Sequence, residues 1–139
     1  MKKFLFGLGL CLSSSVFACT AYIAPQGEGE VKNFAANIYA DEIYQHLERS
    51  LTQKGYMLTT QPEEANYIFE NVVTICAQDV SASDICPHAV AVLDYASTDS
   101  AGNPDAGSYT GAASNSFNSQ MGQREAAFEA IDKIRECHN

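Results

Sequence analysis

Cysteine and histidine are the side chains most able to do chemistry in this 139-residue chain, which has five of the first and three of the second. Thiols lie beside imidazoles in Cys86-Pro87-His88 and in Cys137-His138. A zinc site needs ligands whose spacing closes on one ion, such as Cys-x-x-Cys or two histidines four residues apart on a helix, and neither spacing occurs. We therefore predict no metal site, no cofactor and no thiol nucleophile.

His46 is a further candidate for catalysis, because helical spacing puts Glu42 and Ser50 one turn away on either side of it. A Ser–His–acid arrangement draws its members from anywhere in a chain, so a small secreted hydrolase stays open as an alternative. No Gly-x-Ser-x-Gly elbow supports it. A solvated histidine on a helix is the favoured interpretation, and the chain is predicted not to be an enzyme.

Oxygen-bearing side chains at Asp99, Asn103 and Asp105 raise the question of a calcium loop. Their spacing misses the EF-hand pattern, which has ligands at alternate positions and a closing glutamate. The run Asn103-Pro104-Asp105-Ala106-Gly107 instead has the residue types of a β-turn, with proline second and aspartate third. The sequence therefore predicts a turn here.

The start of the chain has the pattern of a secretory signal peptide. Lys2 and Lys3 precede an apolar run over residues 4–12, and Val16 and Ala18 stand at the −3 and −1 positions of a cleavage site. Residues 1–18 are predicted to be a removable signal, and residues 19–139 a single α/β domain. The apolar run is shorter than the ~20 residues that cross a bilayer, and no later run approaches that length, so no transmembrane span is expected.

Two alternative fates are open to Cys19, the first residue after this site. The run Val16-Phe17-Ala18-Cys19 resembles a bacterial lipobox, whose cysteine is acylated and tethers the protein to a membrane. Four cysteines remain once Cys11 leaves with the signal, and an even number in an oxidising compartment favours disulfides. The predicted pairs are Cys76–Cys86 and Cys19–Cys137. The predicted location is the periplasm, or the outer membrane if Cys19 is acylated, with secretion as a further alternative.

Charge limits the classes of partner. Loss of Lys2 and Lys3 lowers the number of basic residues from 8 to 6, and 17 acidic residues then give a net charge of −11. An acidic surface repels phosphate backbones and anionic lipids, so nucleic acid is excluded as an expected partner. The simplest use of this charge is to keep an exported protein in solution.

Hydrophobic periodicity predicts an α+β fold with the order β-α-β-β-β-β-α. A strand over residues 19–24 precedes a helix from Val31 to Lys54, which Gly55 ends in the left-handed cap position. Four strands are predicted over residues 56–60, 67–76, 88–96 and 107–116, and a closing helix over residues 120–137. One sheet of four or five strands, antiparallel or mixed, with both helices on one face is the simplest layered arrangement.

A Cys76–Cys86 disulfide would set the register of the third and fourth strands. If Cys76 lies directly opposite Cys86 on antiparallel strands, the numbers of every other opposed pair also sum to 162. Phe69 is then opposite Leu93, and Val73 is opposite Ala89. Side chains alternate along a strand, so this register turns one mostly apolar set toward the helices. The opposite face then carries an open apolar strip, which we predict to be a partner-binding surface: Ile68, Val72, Val90 and Val92.

Residues 47–75 resemble a known envelope pattern. Leu47-x-x-x-Leu51 is followed by Lys54-Gly55-Tyr56, a short strand and Pro62-Glu63-Glu64-Ala65-Asn66-Tyr67-Ile68-Phe69. This is similar to small α/β domains of bacterial outer-membrane lipoproteins, including the LPS-assembly lipoprotein E group and the amino-terminal domain of TolB. The resemblance implies a non-enzymatic fold that serves in envelope assembly or complex formation, and it assigns no functional residue.

The function expected from these features is a cell-envelope binding or assembly module that docks a partner protein through an open sheet face or edge. The alternatives are a small secreted hydrolase and a soluble inhibitor or immunity-type protein, which would also be small, acidic and disulfide-bonded.

Overall fold

The structure is a computed structural model that describes residues 19–25, 39–76, 86–115 and 119–138. Its elements in chain order are β1 (Thr20–Ile23), α1 (Ala40–Gln53), β2 (Met57–Leu58), a 3₁₀ turn (Pro62–Glu64), β3 (Tyr67–Cys76), β4 (Cys86–Thr98), β5 (Pro104–Asn115) and α2 (Ser119–Asp132). The predicted α+β class and element order are confirmed. No helix in the described ranges has both the length and the apolar character needed to cross a membrane.

The five strands form one mixed sheet in the order β2-β1-β3-β4-β5. The first strand lies between β2 and β3 and runs parallel to both, whereas β3, β4 and β5 are antiparallel neighbours. The parallel pairs arise because α1 carries the chain from β1 back to its own starting edge, as in any β-α-β connection. The long hairpins of β3, β4 and β5 make up the rest of the sheet.

Both helices cover the same face of the sheet, and the core lies between them and it. The core side chains that are almost fully buried include residues from both helices and three strands: Ile43, Leu47 and Leu51 on α1; Ala126, Ala127, Ala130 and Ile131 on α2; Ala21 on β1; Phe69 and Val72 on β3; Ala89, Ala91 and Leu93 on β4. The helices contribute their apolar stripes and the strands their alternate residues, so the predicted two-layer arrangement is present.

The end of α1 follows the predicted cap. Gly55 has φ +89°, a conformation that disfavours side chains with a Cβ atom. The amide of Gly55 donates to the carbonyl of Thr52, and that of Tyr56 to the carbonyl of Leu51, which is the Schellman pattern. The first part of the predicted helix, residues 31–38, lies outside the described residues.

The closing helix ends at Asp132, five residues before the predicted end at Cys137. The Lys54 ammonium donates to the carbonyls of Asp132 and Ile134, so a side chain from the end of α1 satisfies acceptors that the helix leaves open. The amide of Cys137 donates to the carbonyl of Lys54 at 2.8 Å. These contacts hold residues 133–138 as an irregular segment across the end of α1.

The hairpin between β4 and β5 turns earlier than predicted. Thr98 pairs with Pro104, so Pro104 and Asp105 belong to β5 and not to a turn. The Asp99 carboxylate closes the turn by accepting from the amides of Ala101 and Asn103, at 2.9 and 2.8 Å. Gly102 supplies the required positive φ of +83°.

The predicted register between β3 and β4 is wrong. Phe69 pairs with Tyr95 and Val72 with Leu93, so Glu70 and Asn71 together oppose Asp94 alone. This is a β-bulge, in which two residues on one strand face one on its neighbour. Beyond it Cys76 pairs with Ala89, and Cys86 pairs with Asn115 of β5. The two cysteines are therefore not directly opposed.

Candidate functional site

The bulge reverses which side chains of β3 point into the core. Phe69 lies on the core face, and without the bulge the alternation would put Val72 on the opposite face, as the sequence predicted. The extra residue instead turns Val72 inward, where 2% of its surface is exposed. Val72 is therefore not part of an open strip, and its place in the predicted partner-binding set is a correction.

The outer face, defined as the side of β3, β4 and β5 away from both helices, carries the other three predicted residues. Val90 and Val92 alternate with the fully buried Ala89, Ala91 and Leu93, so they point away from the core. Both are half-buried, as is Ile68. Three exposed small side chains extend this apolar strip: Ala96 on β4, and Ala106 and Ala112 on β5. In the described ranges no helix covers this face.

A shallow depression of about 430 Å³ lies at the hairpin end of the outer face. Its apolar floor comes from Ile68, Ala96 and Ala106, which are brought together by the pairing of Ile68 with Ala96 and of Ala96 with Ala106. Pro104 and Asp105 form part of its rim. A depression of this kind can accept an apolar side chain from a partner, the type of contact that anchors protein interfaces.

The edge strand β5 is partly guarded by α2. Lys133, just beyond the end of that helix, donates from Nζ to the backbone carbonyl of Thr110 at 2.7 Å. Lysine at a sheet edge is one of the devices by which proteins prevent strand addition. The predicted alternatives were a face or an edge, and this contact favours the face.

The small residues of β5 leave room for α2 to pack closely against this strand. A Cβ atom built at Gly111 would overlap the backbone of α2 at the carbonyl of Ala126 and the amide of Ala130. The backbone that approaches Gly111 is therefore that of α2. Alanines on α2 allow the helix and the strand to cross closely.

His46 lies between the two helices and not in an open site. Its Nε2 atom is 2.8 Å from Oδ1 of Asp132, and its ring stacks on Phe128 with centroids 4.0 Å apart. The acid partner is therefore Asp132 of α2, whereas sequence spacing pointed to Glu42, which instead pairs with Arg124 at 2.8 Å. Ser50 is buried at 6% exposure. These contacts join the helices.

The other chemical candidates also have structural partners. His88 on the outer face has Nδ1 3.5 Å from the Ser114 hydroxyl. Asp99 is engaged in its own turn, and backbone donation from Asn103 lowers the pKa of its carboxyl. No group of three or more metal-ligating side chains is found within the described residues.

Cys19 and Cys137 are joined by a disulfide, with Cα atoms 5.8 Å apart. Cys19 is 1% exposed, and its carbonyl accepts from the amide of Met57 in β2. The structure describes the strand positions of Cys76 and Cys86 but not their side chains. The second disulfide therefore stays a prediction. Its original basis, direct opposition of the two cysteines, has been removed by the observed register.

Comparison with known proteins yields no family. No protein-family model matches the chain, and no curated protein matches it in sequence. Among solved structures it is similar to a minor lipoprotein from Acinetobacter baumannii, with 14% identity, a TM-score of 0.44, and coverage of 85% of this chain and 87% of that one. A dodecameric PelC variant from Paraburkholderia phytofirmans is 13% identical with a TM-score of 0.45, again covering 85% and 87%. The function therefore has to be inferred from the chain's own residues.

Proposed function

We propose that this protein is a non-catalytic binding module of the bacterial cell envelope that docks a partner protein on its outer sheet face. The single observation that carries the proposal is the set of apolar side chains on the face opposite the helices, with Val90, Val92 and Ala112 at one end and Ile68, Ala96 and Ala106 at the other. Exposed apolar side chains grouped on one face are typical of interaction sites. The predicted signal and the Cys19–Cys137 disulfide support an exported location.

The geometry of the strip supports docking of a folded surface. Val90 pairs with the smaller Ala112, whereas Val92 pairs with Thr110, which is close to it in size, so the surface is lower beside Val90. This relief, with the depression at one end, provides shape complementarity for an apolar anchor. The helix-covered face, in contrast, already has its apolar residues buried in the core.

Site-specific photo-crosslinking tests the proposal. A benzophenone amino acid at Val92 samples the outer face, and the same residue at Gln53, exposed at the end of α1, is the matched control. We expect a discrete crosslinked partner from position 92 in intact cells and none from position 53. The absence of any adduct at 92 across growth conditions, or equal adducts from both positions, would refute docking at this face.

A charge substitution then tests the strip itself. Val92→Lys places an ammonium in the centre of the strip, and Thr52→Lys adds the same charge on an exposed position of α1. We expect recovery of the crosslinked partner to fall about tenfold or more with the first variant, because burying an unpaired charge at an interface is costly. Unchanged recovery with Val92→Lys would exclude the strip.

A further inference from the structure

Positive charge is missing from the whole strand-rich part of the chain. No lysine or arginine occurs between Gly55 and Gln123, a stretch that contains β2 to β5. The same stretch holds eight acidic residues: Glu63, Glu64, Glu70, Asp79, Asp84, Asp94, Asp99 and Asp105. The lysine and arginine residues of the chain therefore all lie outside the stretch that contains β2 to β5.

The basic residues of the described part lie on the helices or beside them, where they are used internally. Every described ion pair joins helical or near-helical residues: His46–Asp132, Arg124–Glu42 and Lys133–Glu129. Lys54 is engaged by the carbonyls at the end of α2. None of the described ion pairs includes a residue of β3, β4 or β5.

The charged side chains described on the outer face are both acidic. Glu70 stands at the bulge of β3, and Asp94 on β4 follows Val92 on the same face. Both are exposed, and the Asp94 carboxylate accepts from the Ser108 hydroxyl without neutralising its charge. Asp105 adds a third carboxylate at the rim of the depression. Among the described residues, Asp94 thus lies between Val92 and Ala96 on the outer face, and Glu70 lies beside it on β3.

We propose that the outer face binds an amphipathic helix of a partner protein whose apolar stripe is bordered by lysine and arginine. This inference rests on the proposed docking function and names the chemistry of its partner. Aliphatic residues on the helix would cover Val90 and Val92, and basic residues at the margins would meet Glu70 and Asp94. Asp94 lies two positions beyond Val92 on the same face of β4, so a helix that crosses the strands over Val90 and Val92 would set one of its margins against this carboxylate.

Complementary charge explains why a basic helix is favoured over a neutral or acidic one. A like-charged margin would be repelled by Glu70 and Asp94, neither of which takes part in an ion pair among the described residues, so the surface selects against acidic partners as well as for basic ones. The small side chains of Ala96, Ala106 and Ala112 let a helix approach the sheet closely. A helix in this place would give the sheet a second covered face, as in three-layer domains.

Designed peptides test this chemistry on the disulfide-bonded protein. The probe is an 18-residue helix with a leucine stripe and lysines at both margins. Two matched peptides replace the lysines by glutamate or the leucines by serine. We expect the lysine–leucine peptide to bind, the glutamate peptide to give no measurable binding, and the serine peptide to bind at least tenfold more weakly. Equal binding of lysine and glutamate peptides would overturn the proposal.

Two charge-neutralising variants locate the interaction. Asp94→Asn removes a carboxylate beside the strip, and Asp41→Asn removes one from the first turn of α1, so net charge changes equally. We expect Asp94→Asn to weaken peptide binding about two- to fivefold and Asp41→Asn to leave it within error. Equal effects would mean attraction by net charge alone and would overturn the assignment.

The outcome is separable from that of the docking proposal. If position 92 crosslinks a partner whose affinity is unaffected by Asp94→Asn and by salt up to 0.5 M, about the concentration at which surface charges are screened, then the docking face stands and the basic helix is refuted. If position 92 crosslinks nothing, both proposals fail together.

Discussion

Gly111 shows how a single residue sets the distance between the two layers. It lies on β5 where α2 crosses, and the helix backbone occupies the place that a side chain would take. Gly107, on the same strand, pairs with Tyr95, and the tyrosine ring lies over the glycine. A Cβ atom at Gly107 would meet only the end of the Tyr95 side chain, whereas at Gly111 it would meet helix backbone, so Gly111 is the glycine that the packing requires.

Gly111→Ala is expected to destabilise the protein by about 1–3 kcal/mol, because the helix must move to admit the added methyl group. Guanidinium chloride unfolding followed by circular dichroism measures the change. Ala112→Val, one residue along the same strand on the exposed outer face, adds more volume and is expected to cost less than about 0.5 kcal/mol. Comparable losses in the two variants would show that the crossing is looser than described.

Tyr56 illustrates a residue whose role is fixed by burial. Its hydroxyl donates to the carbonyl of Arg135 at 3.0 Å, and its ring packs edge-on against Tyr67 and Phe69. Burial raises the pKa of this phenol, with the neighbouring Tyr109 contributing, so the group stays a neutral donor at physiological pH. It ties the irregular segment after α2 to the end of α1.

At the scale of the elements, the bulge in β3 decides which face each strand residue occupies. A strand without it would put Asn71 on the core face, and the extra residue puts Val72 there instead. The consequence for the proposed function is that Val72 is removed from the outer face, on which Val90 and Val92 remain. The bulge also brings Glu70 and Asp94 to neighbouring positions on adjacent strands.

Disulfide trapping distinguishes the observed register from the predicted one. With Cys76 and Cys86 replaced by alanine, Val73→Cys with Val92→Cys is expected to crosslink under mild oxidation, because these positions are paired. The matched pair Val73→Cys with Ala89→Cys, opposed in the predicted register, is expected to stay reduced. Thiol titration and non-reducing mass analysis give the readout. Preferential crosslinking of the second pair would contradict the bulge.

Local signals in the sequence were sufficient for most of the elements. The cap at Gly55, the limits of β3 and the order of strands and helices follow from residue types near each boundary. The register did not, because it was deduced from an assumed cysteine pair, whereas the bulge depends on packing across the sheet. The end of α2 was also missed, since the carbonyls there are satisfied by Lys54, which is 78 residues away from Asp132.

The binding face could be predicted only in part. Val90, Val92 and Ile68 were placed on the outer face by alternation, and the structure puts them there. The sequence shows that lysine and arginine are absent between residues 55 and 123. Its relevance to binding follows only from the structure, in which strands from this stretch form a sheet with one face covered by helices. The net charge does not reveal this uneven distribution of basic residues, because it is a single total for the whole chain.

At the scale of the whole molecule, the Cys19–Cys137 disulfide closes nearly the complete domain. The two cysteines are separated by 118 residues, so the bond removes much of the freedom of the unfolded chain. In the chain-entropy model a loop of this size contributes about 4–5 kcal/mol. The same bond occupies the Cys19 thiol that acylation would require, so this disulfide and a lipid anchor at Cys19 exclude each other.

Substitution of the two cysteines by alanine, singly and together, tests this assignment. Each single variant is expected to lose about 4–5 kcal/mol of stability, and the double variant little more, since one bond is lost in every case. The intact mass of the exported protein is expected to match a disulfide-bonded chain from Cys19 without acyl groups. A diacylated mass, or membrane release caused by Cys19→Ala but not by Cys137→Ala, would show a lipid anchor instead.

The position of β1 has a consequence for the order in which the protein acquires its structure. This strand is among the first described residues, yet it lies between two strands that come later in the chain, and it is covalently tied to a residue after the last helix. In export from the amino terminus, which the predicted signal implies, β1 would emerge before the strands with which it pairs. The antiparallel hairpins of β3, β4 and β5 have mainly local pairings and can form first, whereas insertion of β1 must await distant partners. Until β1 inserts, the edge of β3 with which it pairs stays open. Chaperones that hold unfolded chains would bind the protein at that stage.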